Sequence, residues 1–284
     1  MPPEPPAEDT PAAIFAARPW RGLSDPGLEA ALGVPSMLSP EETQLYFWLA
    51  RDWSTGAGAT IDLGAFAGGS AARLAAGHRA AARPTPVIAY DQFTADESVK
   101  QRLLYSAGIP PFAGNDILLL AHRLLTPWKP MVELRAGDIM EQTWSGDPVE
   151  LLVIDAAKSA TLADHIAVQF FPALIPGRSI VVQQDFLHRV QPWLAVQMFL
   201  LADYFTPLAR VPRDCMVFLC NRVPPPRALA AARTVGLDDA AMVRLVRRAA
   251  RLYQPLAGRF WFANMVRKLR ANPGERTAWR MWRE

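Results

Sequence analysis

The chain has 284 residues, of which 51% are hydrophobic and 20% are charged, and its formal net charge is +3. This composition excludes wholesale disorder and predicts a globular protein with a substantial core. Its apolar runs are shorter than the roughly 18 residues that a transmembrane helix needs. The N-terminus, Met1 to Asp9, is acidic and rich in proline and lacks the basic start and apolar stretch of a signal peptide. These features indicate a cytoplasmic location.

Charge is distributed unevenly along the chain. From Pro225 onward there are 13 Lys/Arg and 4 Asp/Glu, against 17 and 23 before it. A slightly acidic body therefore carries a basic tail. The two cysteines, Cys215 and Cys220, are five residues apart in one apolar run, so on a strand they would point to opposite faces. We expect both to be buried thiols without a disulfide.

Residues 1–13 are predicted to be a flexible arm. A helix is predicted to begin at Ser39-Pro40-Glu41-Glu42, where a capping serine, a first-turn proline and a glutamate three residues after the cap occur together. It should end near Trp53. Beyond it, short apolar runs alternate with helix-like segments, which is typical of βαβ units and a mainly parallel sheet. The predicted strands contain residues 59–61, 87–90, 131–134, 151–154 and 179–182.

An aspartate closes or closely follows each of these runs. In an open parallel sheet, ligands bind beyond the carboxyl ends of the strands. Any one of the aspartates could be a helix cap, but five in succession indicate side chains that gather around one ligand. They are Asp62, Asp91, Asp138, Asp155 and Asp185.

Two further apolar runs, around Pro207–Val211 and Met216–Cys220, are separated by Pro212-Arg213-Asp214. They predict an antiparallel hairpin that completes the sheet. The expected fold is α/β: a doubly wound, mainly parallel seven-stranded sheet with a C-terminal helical extension. We place the main domain at residues 14–224, with a helical insertion near 92–130 that either forms a substrate lid or simply covers the sheet. The basic helical extension is placed at 225–284.

The segment Asp62-Leu-Gly64-Ala65-Phe-Ala-Gly68-Gly69-Ser70 resembles the first motif of class I S-adenosylmethionine-dependent methyltransferases. Gly64 would permit a tight turn after the strand, and Gly68 and Gly69 would let the backbone approach the ligand. The resemblance implies cofactor contacts from Asp62, Gly64, Ala65, Gly68 and Ser70, with the acid facing the ammonium of the methionine moiety.

Two other positions carry the resemblance. Asp91 matches the acid that accepts both ribose hydroxyls in this family, and Gln92 follows it. Gly137-Asp138 matches the residues beside the adenine, with Ile139 next in the chain. S-adenosyl-L-methionine is therefore the implied cofactor.

Within this class, the stretches Val153–Lys158 and Val182–Asp185 look like those of the catechol and caffeoyl-coenzyme A O-methyltransferases and of the macrocin-type sugar O-methyltransferases. The resemblance implies that Asp155 and Asp185 are the residues nearest to a Mg²⁺ ion. However, the metal-binding pair expected after the fifth strand is Gln184-Asp185 here, so one of its two side chains is a neutral amide. Mg²⁺ prefers charged oxygen ligands.

Methylation of a hydroxyl requires that its proton be removed, by a metal-activated step or by a side-chain base. Asp155, Lys158 and His188 are the candidate catalytic residues. Lys158 would act as a base only if its surroundings lowered its pKa, whereas histidine is the side chain most often used as a base near neutral pH, which makes His188 a candidate. The resemblance implies O-methylation of a small molecule or of a sugar unit in glycan or secondary-metabolite biosynthesis.

Two alternatives remain open. One is a catalytically reduced, methyltransferase-like scaffold or membrane-associated protein that acts through its basic tail. The other is a nucleotide-binding oxidoreductase, although the loop lacks the G-x-G-x-x-G spacing of that class. Residues 241–270 combine a basic face with an apolar one and are candidates for contact with a second subunit or a membrane surface. Nucleic acid is not an expected partner, because no RNA-binding motif accompanies the arginines.

Overall fold

A computed structural model describes residues 10–144 and 146–284. It contains one seven-stranded sheet with the order β3-β2-β1-β4-β5-β7-β6. β2 pairs in parallel with β1 and β3, whereas β7 is antiparallel to β5 and β6. The predicted fold class, an α/β fold with a mainly parallel seven-stranded sheet that is completed by an antiparallel hairpin, is confirmed. The strands are β1 (Ala59–Leu63), β2 (Val87–Asp91), β3 (Val132–Ala136), β4 (Val149–Ile154), β5 (Ile180–Gln183), β6 (Phe205–Val211) and β7 (Cys215–Cys220).

Burial along the strands follows their place in the sheet. β1 and β4, in the middle, are buried at every residue, as expected for strands that are covered on both faces. β3 lies at one end of the sheet and is buried at none of its five residues. Cys215 and Cys220 on β7 are both buried and no disulfide joins them, as predicted.

Helices flank the strands in chain order. Among the described residues they are α1 (Pro11–Ala17), α2 (Pro26–Leu32), α3 (Pro40–Trp48), α4 (Gly69–Ala80), α5 (Glu97–Val99), α6 (Leu118–Leu124), α7 (Ala160–Phe170), α8 (Pro192–Leu200), α9 (Pro226–Ala231), α10 (Asp239–Ala257) and α11 (Phe260–Ala271). None of the helices in this part of the chain is long and apolar enough to cross a membrane.

The start of α3 agrees with its sequence signal. Ser39 Oγ accepts from the backbone N–H of Glu42, and the Glu42 carboxylate accepts from the Ser39 N–H at 2.7 Å. The helix continues as a π-helical turn to Trp53, where the sequence predicted its end. α1 corrects the predicted arm over residues 1–13, because Thr10 caps a helix that begins at Pro11. The rest of that predicted arm lies outside the described residues.

The predicted insertion near 92–130 is helical over two stretches. α5 continues through single π-helical and 3-10 turns to Ala107. α6 is followed by a 3-10 turn at Thr126–Trp128. Whether this segment acts as a lid remains a prediction.

The chain forms two compact units. One is Trp20–Val153, and the other is Ile154–Glu284 together with residues 10–19. In the second unit, α10 packs against α8 and α11. The Tyr253 ring of α10 contacts the rings of Phe186, Phe218 and Phe262. The helical extension predicted at 225–284 is therefore built into the core of this second unit.

Candidate active site

In the unit Trp20–Val153, the loop between β1 and α4 has a left-handed backbone at three points. These are Gly64 (φ 102°), Phe66 (φ 51°) and Gly68 (φ 93°). The N–H groups of Gly64 and Ala65 both donate to Tyr90 O, at 2.8 and 3.2 Å. The loop therefore turns sharply at the end of β1, as the predicted glycine turn requires.

Asp91, the last residue of β2, holds this loop in place. Its Oδ2 accepts from the Phe66 N–H at 2.8 Å, and its Oδ1 accepts from the Phe93 N–H at 2.7 Å. Phe66 is a non-glycine residue in the left-handed region, a conformation that costs free energy unless its surroundings stabilise it. Burial raises the pKa of Asp91, opposed by the backbone hydrogen bonds from Phe66, Phe93 and Gln92.

Asp91 also retains capacity to bind a ligand. Its side chain is half-buried and Gln92 is exposed. An ionised carboxylate offers about four lone-pair sites, and the hydrogen bonds from the Phe66 and Phe93 N–H groups use one on each oxygen. The contact of Asp91 with two hydroxyl groups stays a prediction, and the structure gives Asp91 a second task, the stabilisation of the loop.

Asp62 and Ser70 form a pair across the same loop. Asp62 is fully buried, and its Oδ2 accepts from Ser70 Oγ at 2.6 Å. Ser70 lies in the first turn of α4 and is half-buried. Ser70 is therefore the more accessible member of the pair, and Asp62 orients its hydroxyl group. Sequence reasoning predicted a cofactor contact from both residues, with Asp62 facing the ammonium group.

The glycines at the start of α4 have a role in packing. A Cβ at Gly68 would lie 2.6 Å from a Leu125 methyl group, and one at Gly69 would lie 2.4 Å from Pro35 O. Both spaces are thus filled by the protein's own chain. The missing side chains allow Leu125 and Pro35 to pack against the loop, and the approach of this backbone to a ligand stays a prediction.

The end of β3 lies beside the end of β2. The Gly137 N–H donates to Asp91 O at 3.0 Å, and Gly137 has a φ of 132°. Asp138 is exposed, and its carboxylate caps the following 3-10 turn by accepting from the Met140 N–H at 2.9 Å. Ile139 is buried. Of the residues predicted beside the adenine, Gly137 therefore lies next to Asp91. The Asp138 carboxylate instead bonds to the backbone of the turn that follows it.

In the unit Ile154–Glu284, Lys158 brings together the two aspartates predicted as metal ligands. Its ammonium group donates to Asp155 Oδ1 at 2.7 Å and also to Asp185 Oδ2. Gln191 Nε2 donates to the same Asp185 oxygen at 2.7 Å. The three charged side chains are 20 to 38% exposed, so water screens part of their attraction.

This ion cluster keeps Lys158 charged. Burial acts to lower the pKa of Lys158, but the charges and hydrogen bonds of Asp155 and Asp185 outweigh it and raise that pKa. For Asp185, burial acts to raise the pKa, and the Lys158 charge outweighs it and lowers the value. A lysine held as a cation is a poor general base, so the geometry disfavours the base role predicted for Lys158.

The cluster does not fit a Mg²⁺ ion. The Lys158 ammonium occupies the position between the two carboxylates, and the neighbouring side chain, Gln184, is a neutral amide. Within residues 10–144 and 146–284, no three His, Cys, Asp or Glu side chains form a group that could hold a metal ion. The predicted Mg²⁺ ligands, Asp155 and Asp185, are instead the counter-charges of a lysine.

His188 lies close to the same cluster. Its N–H donates to Asp185 O at 3.0 Å, and its ring is half-buried. Among the described residues, no hydrogen-bond partner contacts its buried Nδ1. A buried imidazole nitrogen without a partner is suited to accept or donate a proton when a ligand binds.

Sequence reasoning missed the residues that fix the Lys158 loop. The backbone N–H of Ala278 donates to Lys158 O at 2.9 Å, and the Ala160 N–H donates to Arg276 O at 3.0 Å. Trp193 Nε1 donates to Ala157 O at 2.9 Å. These contacts join segments that are more than 30 residues apart, and no local pattern marks them. Gln191 was missed for a related reason, since no sequence motif marks a glutamine after a turn as a partner of Asp185.

In comparisons with known proteins, the chain matched solved structures but no family model and no curated protein. The SAH-bound methyltransferase PaMTH1 from Podospora anserina is 15% identical over 78% of this chain and 100% of its own, with a TM-score of 0.47. Cofactor-bound Rv0187 from MTB is 18% identical over 77% of this chain and 100% of its own, with a TM-score of 0.48. Similarity of this size assigns no function to the chain.

Proposed function

We propose that this protein is an S-adenosylmethionine-dependent methyltransferase. The observation that carries the proposal is the double role of Asp91, which stabilises the left-handed loop through the Phe66 N–H and keeps a half-buried carboxylate next to Gly137. A carboxylate at the end of β2 beside a glycine turn is suited to a ribose, because each of its oxygens can accept from one hydroxyl group.

The residues of Trp20–Val153 divide the binding of S-adenosyl-L-methionine between them. Asp91 and the exposed Gln92 bind the ribose, and Gly137 and Ile139 lie on the adenine side. The Ser70 hydroxyl, oriented by Asp62, binds the methionine end. When bound, the cofactor would supply a methyl group on a sulfonium sulfur. This sulfur is an activated leaving group, since it departs as a neutral thioether.

Oxygen is the proposed acceptor atom. Lys158 supplies a fixed positive charge, which stabilises the negative charge that develops on a hydroxyl oxygen as it loses its proton. His188 Nδ1 is the proposed proton acceptor, because it is buried and has no partner among the described residues. Asp155 and Asp185 hold the lysine charged and in position. The substrate class we propose is a small molecule or a sugar unit from glycan or secondary-metabolite biosynthesis.

Equilibrium dialysis with S-adenosylhomocysteine, the product form of the cofactor, tests the proposal. The wild type should bind it at micromolar strength. Asp91→Asn should bind at least about tenfold more weakly, since a hydrogen bond to a charged group contributes about 1.5–3 kcal/mol. Asp147→Ala removes an exposed carboxylate from the same unit and should bind as the wild type does.

Circular dichroism of Asp91→Asn separates lost binding from lost structure. A folded Asp91→Asn protein that binds S-adenosylhomocysteine as tightly as Asp147→Ala would overturn the proposed role of Asp91. A wild type that does not bind the compound at all would overturn the function.

A further inference from the structure

α10 and α11 line an open cavity of about 610 Å³ that the proposed reaction does not use. Arginines from both helices line it: Arg247 and Arg251 lie one helical turn apart on α10, Arg259 precedes α11, and Arg270 lies in the last turn of α11. Ala250, Phe262, Ala263 and Val266 complete the lining.

The positive charge in this cavity is not neutralised by the protein. No carboxylate of the described residues forms an ion pair with any of the four arginines. Arg259 donates to a neutral acceptor, Gln254 Oε1, at 2.5 Å. Four guanidinium groups around one concave space repel one another, and a bound anion relieves that repulsion. Guanidinium groups match phosphate oxygens in geometry as well as in charge.

The remaining lining is apolar. Phe262 and Val266 are buried, whereas Ala250 and Ala263 contribute small methyl groups. A ligand that fills this space therefore meets cationic and hydrocarbon surfaces together. This combination is suited to an amphiphile that carries a phosphate group and has an adjoining apolar part.

Large apolar side chains are exposed on the same pair of helices. Phe260, directly after Arg259, is 70% exposed, and Leu252 and Leu256 on α10 are 42% and 39% exposed. Exposed apolar residues next to arginines are typical of helices that bind at the surface of an anionic bilayer. A nucleic acid would satisfy the arginines, but its phosphodiester backbone offers nothing to the apolar lining formed by Ala263 and Val266.

We infer that the four-arginine cavity binds the phosphate of an anionic phospholipid headgroup and thereby attaches α10 and α11 to a membrane surface. The inference is independent of the methyltransferase proposal, because no residue of the cavity belongs to the candidate active site.

Flotation of the full-length protein with lipid vesicles tests this inference. The wild type should bind vesicles that contain phosphatidylglycerol and should not bind vesicles of phosphatidylcholine alone. The double variant Arg247→Gln with Arg251→Gln should bind the phosphatidylglycerol vesicles at least about tenfold more weakly. The matched control, Arg227→Gln with Arg233→Gln, removes two exposed arginines of the same unit that lie outside the cavity. It should retain most of the binding.

Further arms separate a lipid headgroup from other phosphate sources. Phe260→Ser should weaken vesicle binding and leave the binding of inorganic pyrophosphate unchanged, because only the bilayer uses the apolar side chain. Three results would overturn the inference: no binding of the wild type to anionic vesicles, an equal loss in both double variants, or tighter binding to a DNA or RNA oligonucleotide than to the vesicles.

Discussion

Single side chains decide which chemistry the ends of β4 and β5 can support. A pair of carboxylates at these positions predicts a divalent cation, but Lys158 is three residues from Asp155 and reaches both acids. The sequence contained all three residues and even marked Lys158 as a candidate. It did not show that the ammonium would lie between the carboxylates, because the Asp185 contact joins residues 27 positions apart.

A Lys158→Ala variant tests the role of the ammonium as a replacement for the metal. Removing the lysine leaves two neighbouring carboxylates without their shared cation, so the variant should gain Mg²⁺ binding. Thermal unfolding should show a Tm that rises by a few degrees with added Mg²⁺ in Lys158→Ala and stays constant in the wild type. Lys129→Ala, which removes an exposed lysine elsewhere, should behave as the wild type does. A wild-type Tm that rises with Mg²⁺ would contradict this account.

At the scale of whole elements, the apolar runs and turn residues predicted the strands closely. The central strands carry continuous apolar segments, and the hairpin β6–β7 is marked by Pro212-Arg213-Asp214, so local sequence was sufficient there. It was not sufficient for α1, since Pro11-Ala12-Ala13 has no amphipathic period and continues a proline-rich stretch. It also did not reveal the packing role of Gly68, because the residue that fills the space beside it, Leu125, is 57 positions away.

One helix gives a pH dependence whose sign can be worked out. On α4, His78 Nε2 lies 2.8 Å from Thr60 Oγ1 of β1, and His78 is fully buried. Burial, followed by the charge of Arg83, lowers the pKa of His78 to about 4. The ordinary pKa of His78 is 6.5. When the pH falls below this value, His78 becomes protonated in the unfolded chain but stays neutral in the folded protein. Stability should therefore fall as the pH decreases from about 6.5 to about 4, by about 3 kcal/mol.

Urea unfolding of the wild type and of His78→Gln over this pH range measures the effect. The free energy of unfolding should decrease less steeply with acid in His78→Gln than in the wild type. His122→Gln, which removes an exposed histidine of α6, should retain the wild-type slope. Identical slopes in all three proteins would show that His78 is not the group responsible.

At the scale of the whole molecule, the basic tail is the part whose place the sequence did not predict. Charge and composition changed near Pro225, which suggested an extension added to a finished domain. The structure instead groups residues 154–284 in one compact unit, with Tyr253 of α10 among core aromatic rings. The packing of α10 on α8 shows that the tail belongs to this unit. An amphipathic pattern predicts that a helix has an apolar face, but it does not predict which surface that face will cover.

Tyr253→Ala tests whether α10 is an integral part of the core. Loss of a fully buried ring that contacts Phe186, Phe218 and Phe262 should lower the free energy of unfolding by about 3–5 kcal/mol. Leu252→Ala, at the preceding and exposed position, should cost less than about 1 kcal/mol. Equal effects of the two substitutions in urea unfolding would show that the extension is only loosely attached.

The central claim is that the loop closed by Asp91 binds an adenosyl sulfonium compound. Parallel calorimetric titrations of the intact wild-type protein with S-adenosyl-L-methionine and with NAD test it most directly. We predict saturable binding of S-adenosyl-L-methionine at micromolar strength and no binding of NAD. Binding of NAD without binding of S-adenosyl-L-methionine would contradict the account.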